Sequence, residues 1–253
     1  MNISKHLIYP DWPAPKQVKA LQTTRNGGFS VAPYDSLNLG DHVGDAPQAV
    51  ARNRILLESL LPGEPVWLKQ VHGTDVVDAG RAACRPQADA CITSNSGAVC
   101  VVMTADCLPV LMCDDQGSVV AAAHAGWRGL CEGVIEQTVH GMNVDTAKLM
   151  VWLGPAIGPR IFEVGEEVRA EFMSRQPEAG DAFTPAPLTG KGTSAEGNKW
   201  LADIFQLARL RLHALGITRI YGGNQCTYTD KKRFFSYRRD GVTGRMGTFI
   251  WLE

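Results

Sequence analysis

Three short apolar runs in the middle of the chain constrain its fold more than any other feature. They are AVCVVM at 98–103, LPVLMC at 108–113 and VVAAA at 119–123, and each is bounded by polar residues or glycine. Runs of this length with almost no polar residue favour strands buried on both faces. The chain should therefore place a sheet in its interior, with other layers covering both faces.

Shorter patterns predict further elements around these runs. Strands are predicted at 18–24, 66–68, 149–153, 217–221, 233–238 and 248–252, with a turn at Asp240-Gly241 before the last. Helices are predicted from a cap at Asp45 to Leu61, over 127–140, over 165–175, and from a cap at Asn198 to a stop at Gly216. The segment 176–197 is rich in Pro, Gly, Ala, Ser and Thr, which predicts a mobile loop or lid. The 253 residues contain no internal repeat, so the pattern favours one α+β domain over 1–253 with mixed sheets.

The charge balance and the cysteines narrow the class of function. The formal net charge is −1, which gives no support to a nucleic-acid partner or an anionic membrane. The first residues lack an apolar stretch of signal-peptide length, and no later run reaches the roughly 18 apolar residues of a membrane span. We therefore expect a cytoplasmic protein. The seven cysteines form no C-x-x-C pair and lie mostly in apolar runs, so we expect no disulfide scaffold.

Three residues of metal-binding type follow apolar runs at similar positions. His72 follows VWLKQV, Cys107 follows VVMTAD and His124 follows VVAAA. Where strands share one direction, such positions converge at one edge of a sheet, where ligand sites form. One thiolate and two imidazoles, remote in sequence, suit a catalytic zinc with a vacant fourth position. Spacing alone does not decide between this site and a cysteine and histidine that simply pack in the core.

Several nearby cations and acids are candidates for binding phosphate or moving a proton. Arg128 is the foremost cation because it lies in the first turn of the predicted helix 127–140, where free N–H groups favour an anion. The other substrate-binding candidates, each with a surface or ion-pair role as the alternative, are Arg25, Lys69, Gln70, Arg160, Arg238 and Arg239. The candidate acids, with solvation or capping as the alternative, are Asp75, Asp106 and Glu163.

Two further motifs are ambiguous. LGPAIGP at 153–159 lacks the GK[ST] of a P-loop and predicts a rigid turn. The aromatic rings of FFSYRR at 234–239 could stack on a base, but core packing better explains Phe234 and Phe235. Neither motif identifies a function by itself.

Taken together, motifs spread over the chain resemble one family. They are Asn53-Arg54, KQVHG at 69–73, ADACIT at 88–93, TADCLPVL at 104–111, AAAHAGWRG at 121–129, LGPAIGP, FEVG at 162–165, CT at 226–227, FFSYRR and TGR at 243–245. This set covers nearly the whole chain, in order, and is similar to the YfiH-type laccase-domain proteins, the purine nucleoside phosphorylase family formerly called multicopper polyphenol oxidases. The resemblance implies a layered sandwich of mixed β-sheets flanked by helices, and a zinc ion held by His72, Cys107 and His124.

The resemblance also implies an activity. It is phosphorolysis of adenosine, inosine, guanosine and methylthioadenosine to free base and ribose 1-phosphate, with adenosine deamination as a second activity. The expected partners are a purine nucleoside and phosphate, with Asp106 as a candidate acid for the departing base. The family commonly has Tyr where this chain has Phe162, so a role that needs that hydroxyl is in doubt here. Monomer and homodimer both remain open.

The older copper-oxidase name can be tested by counting ligands. A blue-copper centre plus a trinuclear cluster needs about ten histidines and paired H-x-H segments. This chain has six histidines, and none are two apart. Multicopper oxidation is therefore excluded on ligand number, whereas copper at a single Cys-His-His site is chemically reasonable.

Three other functions could use the same residues. A metal-free cysteine hydrolase would use Cys107 as nucleophile and His124 or His72 as base. The family's other name, peptidoglycan editing factor, implies an amidase that removes wrongly built cell-wall precursors. A non-enzymatic binding module is favoured only if the pocket is shut.

Overall fold

Two β-sheets stacked face to face form the centre of the molecule. The computed structural model describes residues 3–82, 84–187 and 199–253. The first sheet has the order β1-β2-β14-β6-β3, formed by Leu7–Ile8, Val18–Thr23, Met246–Leu252, Val99–Thr104 and Pro65–Val66. The second sheet has the order β13-β9-β7-β8-β5-β4, formed by Arg219–Gly222, Leu149–Leu153, Leu108–Asp114, Val120–Ala125, Ala90–Thr93 and Val76–Asp78. Each sheet contains both parallel and antiparallel pairs.

The strands of the three apolar runs are buried on both faces, as the sequence predicts. In β6, Val102 packs between the two sheets, and Val101 packs in the cluster on the outer side of the first sheet. In β7, Leu111 faces the space between the sheets, and Met112 faces the helices that cover the second sheet. Successive side chains of a strand point to opposite faces, so a strand covered on both sides needs an unbroken apolar run.

Helices cover the outer face of each sheet. The helices are α1 Pro47–Glu58, α2 Trp127–Glu132, α3 Val134–Met142, α4 Glu166–Arg175, α5 Ile204–Ala214 and α6 Tyr237–Asp240. Helix α1 buries Leu57 against the first sheet, whereas α2 to α5 pack against the second. A small antiparallel sheet joins the second layer in the order β10-β12-β11, formed by Glu163–Gly165, Lys199–Ala202 and Phe183–Pro185. The expected layered sandwich of mixed sheets flanked by helices is confirmed.

Helix boundaries differ from the predictions at several places, and α1 ends at Glu58 rather than at Leu61. The predicted helix 127–140 is two helices, because Gly133 adopts φ 109° and breaks the helical path between α2 and α3. Asn198 lies outside the described residues, and the helix after it begins at Ile204, where the Asp203 carboxylate accepts the Phe205 and Gln206 N–H groups at 3.0 Å. The N-cap of α1 is Ala46 rather than Asp45.

The predicted strand at 233–238 was wrong. Phe234 and Phe235 are fully buried in an irregular segment, and the short helix α6 follows them. Gly241 ends α6, so Asp240-Gly241 does not form a hairpin turn. Part of the predicted loop 176–197 is also ordered, since Pro177–Ala182 is a 3₁₀ helix and Phe183–Pro185 is β11. The remainder, from 188 to 197, lies outside the described residues.

Within residues 3–82, 84–187 and 199–253, no helix combines the length and apolar character needed to cross a lipid bilayer.

Candidate metal centre

His72 lies in the loop after β3, in a left-handed backbone conformation with φ 63°. The carboxylate of Asp89 holds this loop by accepting three consecutive backbone N–H groups, those of Val71, His72 and Gly73, at 3.1, 2.9 and 2.8 Å. Three such bonds to one carboxylate hold the loop in an uncommon backbone conformation. The His72 side chain is thereby fixed at the edge of the sheets, although the residue is exposed.

Cys107 lies between β6 and β7, at a turn held by its neighbour Asp106. Asp106 has φ 94°, which is uncommon for a residue with a side chain. Its carboxylate accepts the Thr227 hydroxyl at 2.6 Å, the Ser236 hydroxyl at 3.0 Å and the Arg238 backbone N–H at 2.7 Å. This buried acid therefore ties the turn that carries Cys107 to the segment around α6.

His124 is the second-last residue of β8 and is 3% exposed. β7 and β8 are antiparallel, with Pro109 opposite His124, so the start of β7 meets the end of β8 at one edge. β3, which precedes His72, pairs in parallel with β6, which precedes Cys107, so these two strands share the expected direction, and the three residues converge at one edge. The Nδ1 atom of His124 lies 2.8 Å from Asp89 Oδ1, which leaves Nε2 to face the other two side chains.

Asp89 is the residue of this site that sequence reasoning missed. It is fully buried, and one carboxylate positions both the His72 loop and the His124 ring. Metal-bound histidines usually donate their other ring N–H to such a group, which fixes the tautomer and the ring orientation. The signal was present in ADACIT at 88–93, where an acid stands alone among apolar residues.

The three side chains meet around one centre. One nitrogen from each histidine and the Cys107 sulfur all lie within 4.8 Å of one another, and Cys107 Sγ is 3.7 Å from His72 Nε2. Tetrahedral zinc with bonds of about 2.3 Å to sulfur and about 2.0 Å to nitrogen sets these atoms about 3.6 Å apart. The donor set and its spacing therefore fit zinc. Copper, which also prefers sulfur and imidazole, fits the same donors.

Without a metal, the Cys107 thiol and the His124 imidazole both favour their charged forms. Burial raises the pKa of the Cys107 thiol, but the adjacent imidazoles of His124 and His72 outweigh this and bring it to about 6. Burial lowers the pKa of His124, yet Cys107 and Asp89 outweigh that and raise it to about 9. The metal-free site thus favours a thiolate beside an imidazolium, and a thiolate is the form of cysteine that binds a metal.

A cavity of about 380 Å³ opens beside the cluster. Besides the three candidate ligands, its lining includes His42, Gln70, Tyr237 and Arg245. The Gln70 amide is committed to the Met103 backbone, because it donates to the carbonyl and accepts the N–H, both at 2.8 Å. Burial lowers the pKa of Arg245, whereas Cys107 and Asp106 act in the opposite direction. His42 and Arg245 were not among the predicted site residues, although TGR at 243–245 had been noted.

The other predicted phosphate-binding residues do not line this cavity. Arg25 pairs with Asp35 at 3.3 Å, and Arg239 donates to the carbonyls of Thr227, Tyr228 and Phe234. Lys69 and Arg128 are exposed, and the Arg128 guanidinium lies over the Trp127 ring at 4.7 Å.

Two more of the predicted arginines and two of the predicted acids also do not line this cavity. Arg238 donates two bonds to the Glu163 carbonyl, and Arg160 lines a separate cavity. Asp75 accepts the Asp89 and Ala90 N–H groups through its backbone carbonyl, and both Asp75 and Glu163 are exposed.

Comparison with known proteins agrees with this architecture. The family profile described as multi-copper polyphenol oxidoreductase laccase matches residues 19–253. The chain is 53% identical over 249 residues to the Escherichia coli purine nucleoside phosphorylase YfiH, covering 97% of this chain and 98% of that protein. It is 52% identical over 246 residues to a purine nucleoside phosphorylase of Pseudomonas aeruginosa, covering 97% and 98%.

Solved structures give the same result. A Neisseria meningitidis protein has a TM-score of 0.91 at 48% identity, covering 98% of this chain and 99% of that one. The Bacillus licheniformis protein YfiH has a TM-score of 0.82 at 31% identity, covering 94% and 93%. The matched profile, the relatives aligned over nearly their whole length and the shared fold lead to one conclusion. This chain belongs to the laccase-domain family, whose profile is described as multi-copper polyphenol oxidoreductase laccase and which includes the YfiH proteins.

Proposed function

We propose that this protein is a zinc-dependent purine nucleoside phosphorylase. The observation that carries the proposal is a Cys-His-His cluster, exposed at His72, that opens onto a cavity containing His42 and Arg245. Relatives with about half of their residues identical are named purine nucleoside phosphorylases, which supports the same activity here. The proposed substrates are adenosine, inosine, guanosine and methylthioadenosine, with adenosine deamination as a second activity.

His72, Cys107 and His124 would hold the zinc ion. Bound there, zinc supplies Lewis acidity that polarises an oxygen of phosphate, ribose or water. The residues of the chain keep the cluster open on one side, because Asp89 fixes His124 from behind and His72 stands toward solvent. This leaves a coordination position toward the cavity, as catalytic zinc sites require.

Arg245 and His42 are the groups that we assign to phosphate. The Arg245 guanidinium donates to the Thr243 and Gly244 carbonyls at 2.9 and 3.1 Å through a single nitrogen, so its other nitrogens can serve a ligand. His42 lines the same cavity, and burial followed by the charge of Arg245 lowers its pKa. A dianion beside both groups would favour the protonated imidazole and form charge-assisted hydrogen bonds.

Asp106 is better suited to positioning than to proton transfer. Both of its oxygens already accept hydrogen bonds, from Thr227 on one side and from Ser236 and Arg238 on the other. An acid that protonates a leaving base must present a free oxygen to it. We therefore assign Asp106 the task of holding the turn at Cys107 in place.

A direct assay tests the proposed function. The zinc-loaded protein is incubated with adenosine and phosphate, and adenine, ribose 1-phosphate and inosine are measured by chromatography. We expect adenine and ribose 1-phosphate only when phosphate is present, and inosine as the deamination product. The variants His72→Ala, Cys107→Ala and His124→Ala should lose phosphorolysis, and unchanged turnover in all three would refute the assignment.

A cysteine hydrolase is the second candidate, and one observation favours it. The pKa of Cys107 at about 6 gives a thiolate beside His124, which is also how a nucleophilic cysteine is activated. Metal analysis of freshly purified protein separates the two functions, because stoichiometric zinc would occupy the sulfur that a nucleophile needs free. We further propose a cytoplasmic location and either a monomer or a homodimer, which light scattering would distinguish.

A further inference from the structure

A second, apolar cavity lies on the other side of Cys107. It measures about 130 Å³, and its walls are mainly the side chains of Trp127, Ile157, Phe162 and Ile204. Ala105, Cys107 and Tyr237 line both this apolar cavity and the larger cavity that contains His42 and Arg245. The two cavities therefore adjoin at the metal-binding cysteine and differ in chemical character.

The charged residues in the apolar wall are committed elsewhere. Asp106 uses both oxygens to accept hydrogen bonds from Thr227, Ser236 and Arg238. The Arg238 guanidinium donates two bonds to the Glu163 carbonyl, both at 3.0 Å. What the wall presents to a ligand is therefore chiefly aromatic and aliphatic surface, which suits a flat apolar group and not an anion.

Tyr237 is the one aromatic residue of FFSYRR that the core does not use. Phe234 and Phe235 are fully buried, whereas Tyr237 is 61% exposed and lines both cavities. Its backbone is nevertheless fixed, because the residues on either side of it, Ser236 and Arg238, both donate to Asp106. An exposed ring on a fixed backbone loses little conformational entropy when a ligand packs against it.

We propose that the apolar cavity binds the purine base, with Tyr237 as the base-contacting residue at the junction of the two cavities. This inference rests on the proposed function, since phosphorolysis needs a base and a phosphate on opposite sides of one ribose carbon. The larger cavity takes the phosphate at Arg245, and the base lies against Tyr237, Trp127 and Phe162. Aromatic side chains stack on any purine through its ring faces, which matches a broad purine range.

Substitution of Tyr237 tests the inference, with Tyr9→Ala as a matched control because Tyr9 is 58% exposed and does not line either cavity. We expect Tyr237→Ala to raise the KM for adenosine roughly tenfold, the loss typical of one stacking contact, with the KM for phosphate and the zinc content unchanged. Tyr237→Phe should restore the lower KM for adenosine, and Tyr9→Ala should behave as wild type. Calorimetric titration of the zinc-loaded proteins with adenine, in buffer without phosphate, should show a parallel loss of affinity in Tyr237→Ala.

The outcomes separate this inference from the proposed function. If the wild type binds adenine, Tyr237→Ala binds it more weakly, and no nucleoside is cleaved, then phosphorolysis fails while the base site stands. If the wild type cleaves adenosine and Tyr237→Ala keeps both its KM and its adenine affinity, the base site is overturned while phosphorolysis stands. A wild type that does not bind adenine also overturns the base site. Should Tyr237→Ala melt at a clearly lower temperature, Trp127→Leu answers the same question from the opposite wall.

Discussion

The two ends of β7 carry cysteines with opposite chemistry. Cys107 directly precedes the strand, and two imidazoles bring its pKa to about 6. Cys113 lies near the other end, packs between the two sheets, and has its pKa raised to about 12 by burial and then by the charge of Asp114. The neighbours, and not the residue type or its place beside an apolar run, decide whether a thiol serves as a ligand or as core.

Replacing each of these cysteines by alanine should give the largest difference between the two ends of β7. We expect Cys107→Ala to lose bound zinc and to reduce phosphorolysis by at least about 100-fold, more than the roughly 10- to 100-fold typical of losing an outer partner of a metal ligand. Cys113→Ala should keep zinc and activity and lower the free energy of unfolding by about 1 kcal/mol, since it removes one buried sulfur. Elemental analysis and adenine release measure both proteins. Loss of zinc in Cys113→Ala would show that the two ends are not independent.

Alkylation compares the two thiols in one protein. After removal of metal by a chelator, iodoacetamide at pH 7 should modify Cys107 at least about 100-fold faster than Cys113, because the thiolate is the reactive form. The rate at Cys107 should rise with pH and reach half its maximum near pH 6, at the pKa of about 6. Peptide mass spectrometry at several pH values follows each site, and added zinc should protect Cys107. A half-maximum near pH 9 would mean that the imidazoles do not stabilise the thiolate.

Two buried carboxylates, Asp89 beside the cluster and Asp114 at the far end of β7, extend the comparison. Asp89→Asn should weaken zinc binding by roughly 10- to 100-fold, because Asp89 orients both the His124 ring and the His72 loop. Asp114→Asn is the matched control, since Asp114 is also buried and accepts hydrogen bonds from Ser118 and Val119 but lies at the far end of the strand. Zinc competition with a fluorescent chelator measures both. Equal zinc affinity in the two variants would contradict the role given to Asp89.

The pKa of Asp89 adds a pH dependence to that experiment. Burial raises this pKa, but the hydrogen bond and charge of His124 and the backbone N–H groups outweigh burial and lower it overall. A folded-state pKa below the unfolded one stabilises the protein at neutral pH, and this stability is lost as the pH falls below about 4. Thermal unfolding of metal-free protein should therefore depend less on pH in this acid range for Asp89→Asn than for the wild type.

A methyl group added at Gly126, next to the cluster, should have the smallest effect on zinc binding among these substitutions. A Cβ on Gly126 would lie 2.6 Å from His72 Cδ2 and 3.1 Å from Cys107 Sγ, so Gly126→Ala must shift a ligand and should weaken zinc binding roughly tenfold, the lower end of the range for disturbed ligands. Gly73→Ala, in the loop that carries His72, is the control, because its Cβ would meet neighbours at 3.6 Å. Equal zinc affinity in these two variants would show that the cluster has room to move.

The parts of the fold that sequence could predict depend on local pattern. The strands β6, β7 and β8 were found because both faces of each are buried, so their apolar runs are unbroken. The break at Gly133 and the strand Lys199–Ala202 were missed because tertiary packing overrides helical periodicity there. The segment at 233–238 is fixed by distant partners such as Asp106, which no local pattern contains.

Residues of the candidate site were likewise predicted where the local sequence carries the signal and missed where distant segments meet. The three candidate ligands were predicted because each follows an apolar run and because motifs spread over the chain resembled one family. Arg245 and His42 were missed because the cavity forms only when separate loops meet. One of those meetings is a hydrogen bond in which the Asn38 side chain accepts the Arg245 backbone N–H at 2.9 Å. A pattern search treats Asn38 as an ordinary polar residue of a loop.

The place of β14 in the first sheet has a consequence for biosynthesis. This strand pairs with β2 on one side and β6 on the other, yet it comes after both in the chain. A ribosome therefore produces β2 and β6 well before the strand that joins them, and their unpaired edges stay open to other chains during that interval. Synthesis of residues 246–252, rather than formation of the helices, should set the moment at which this layer closes.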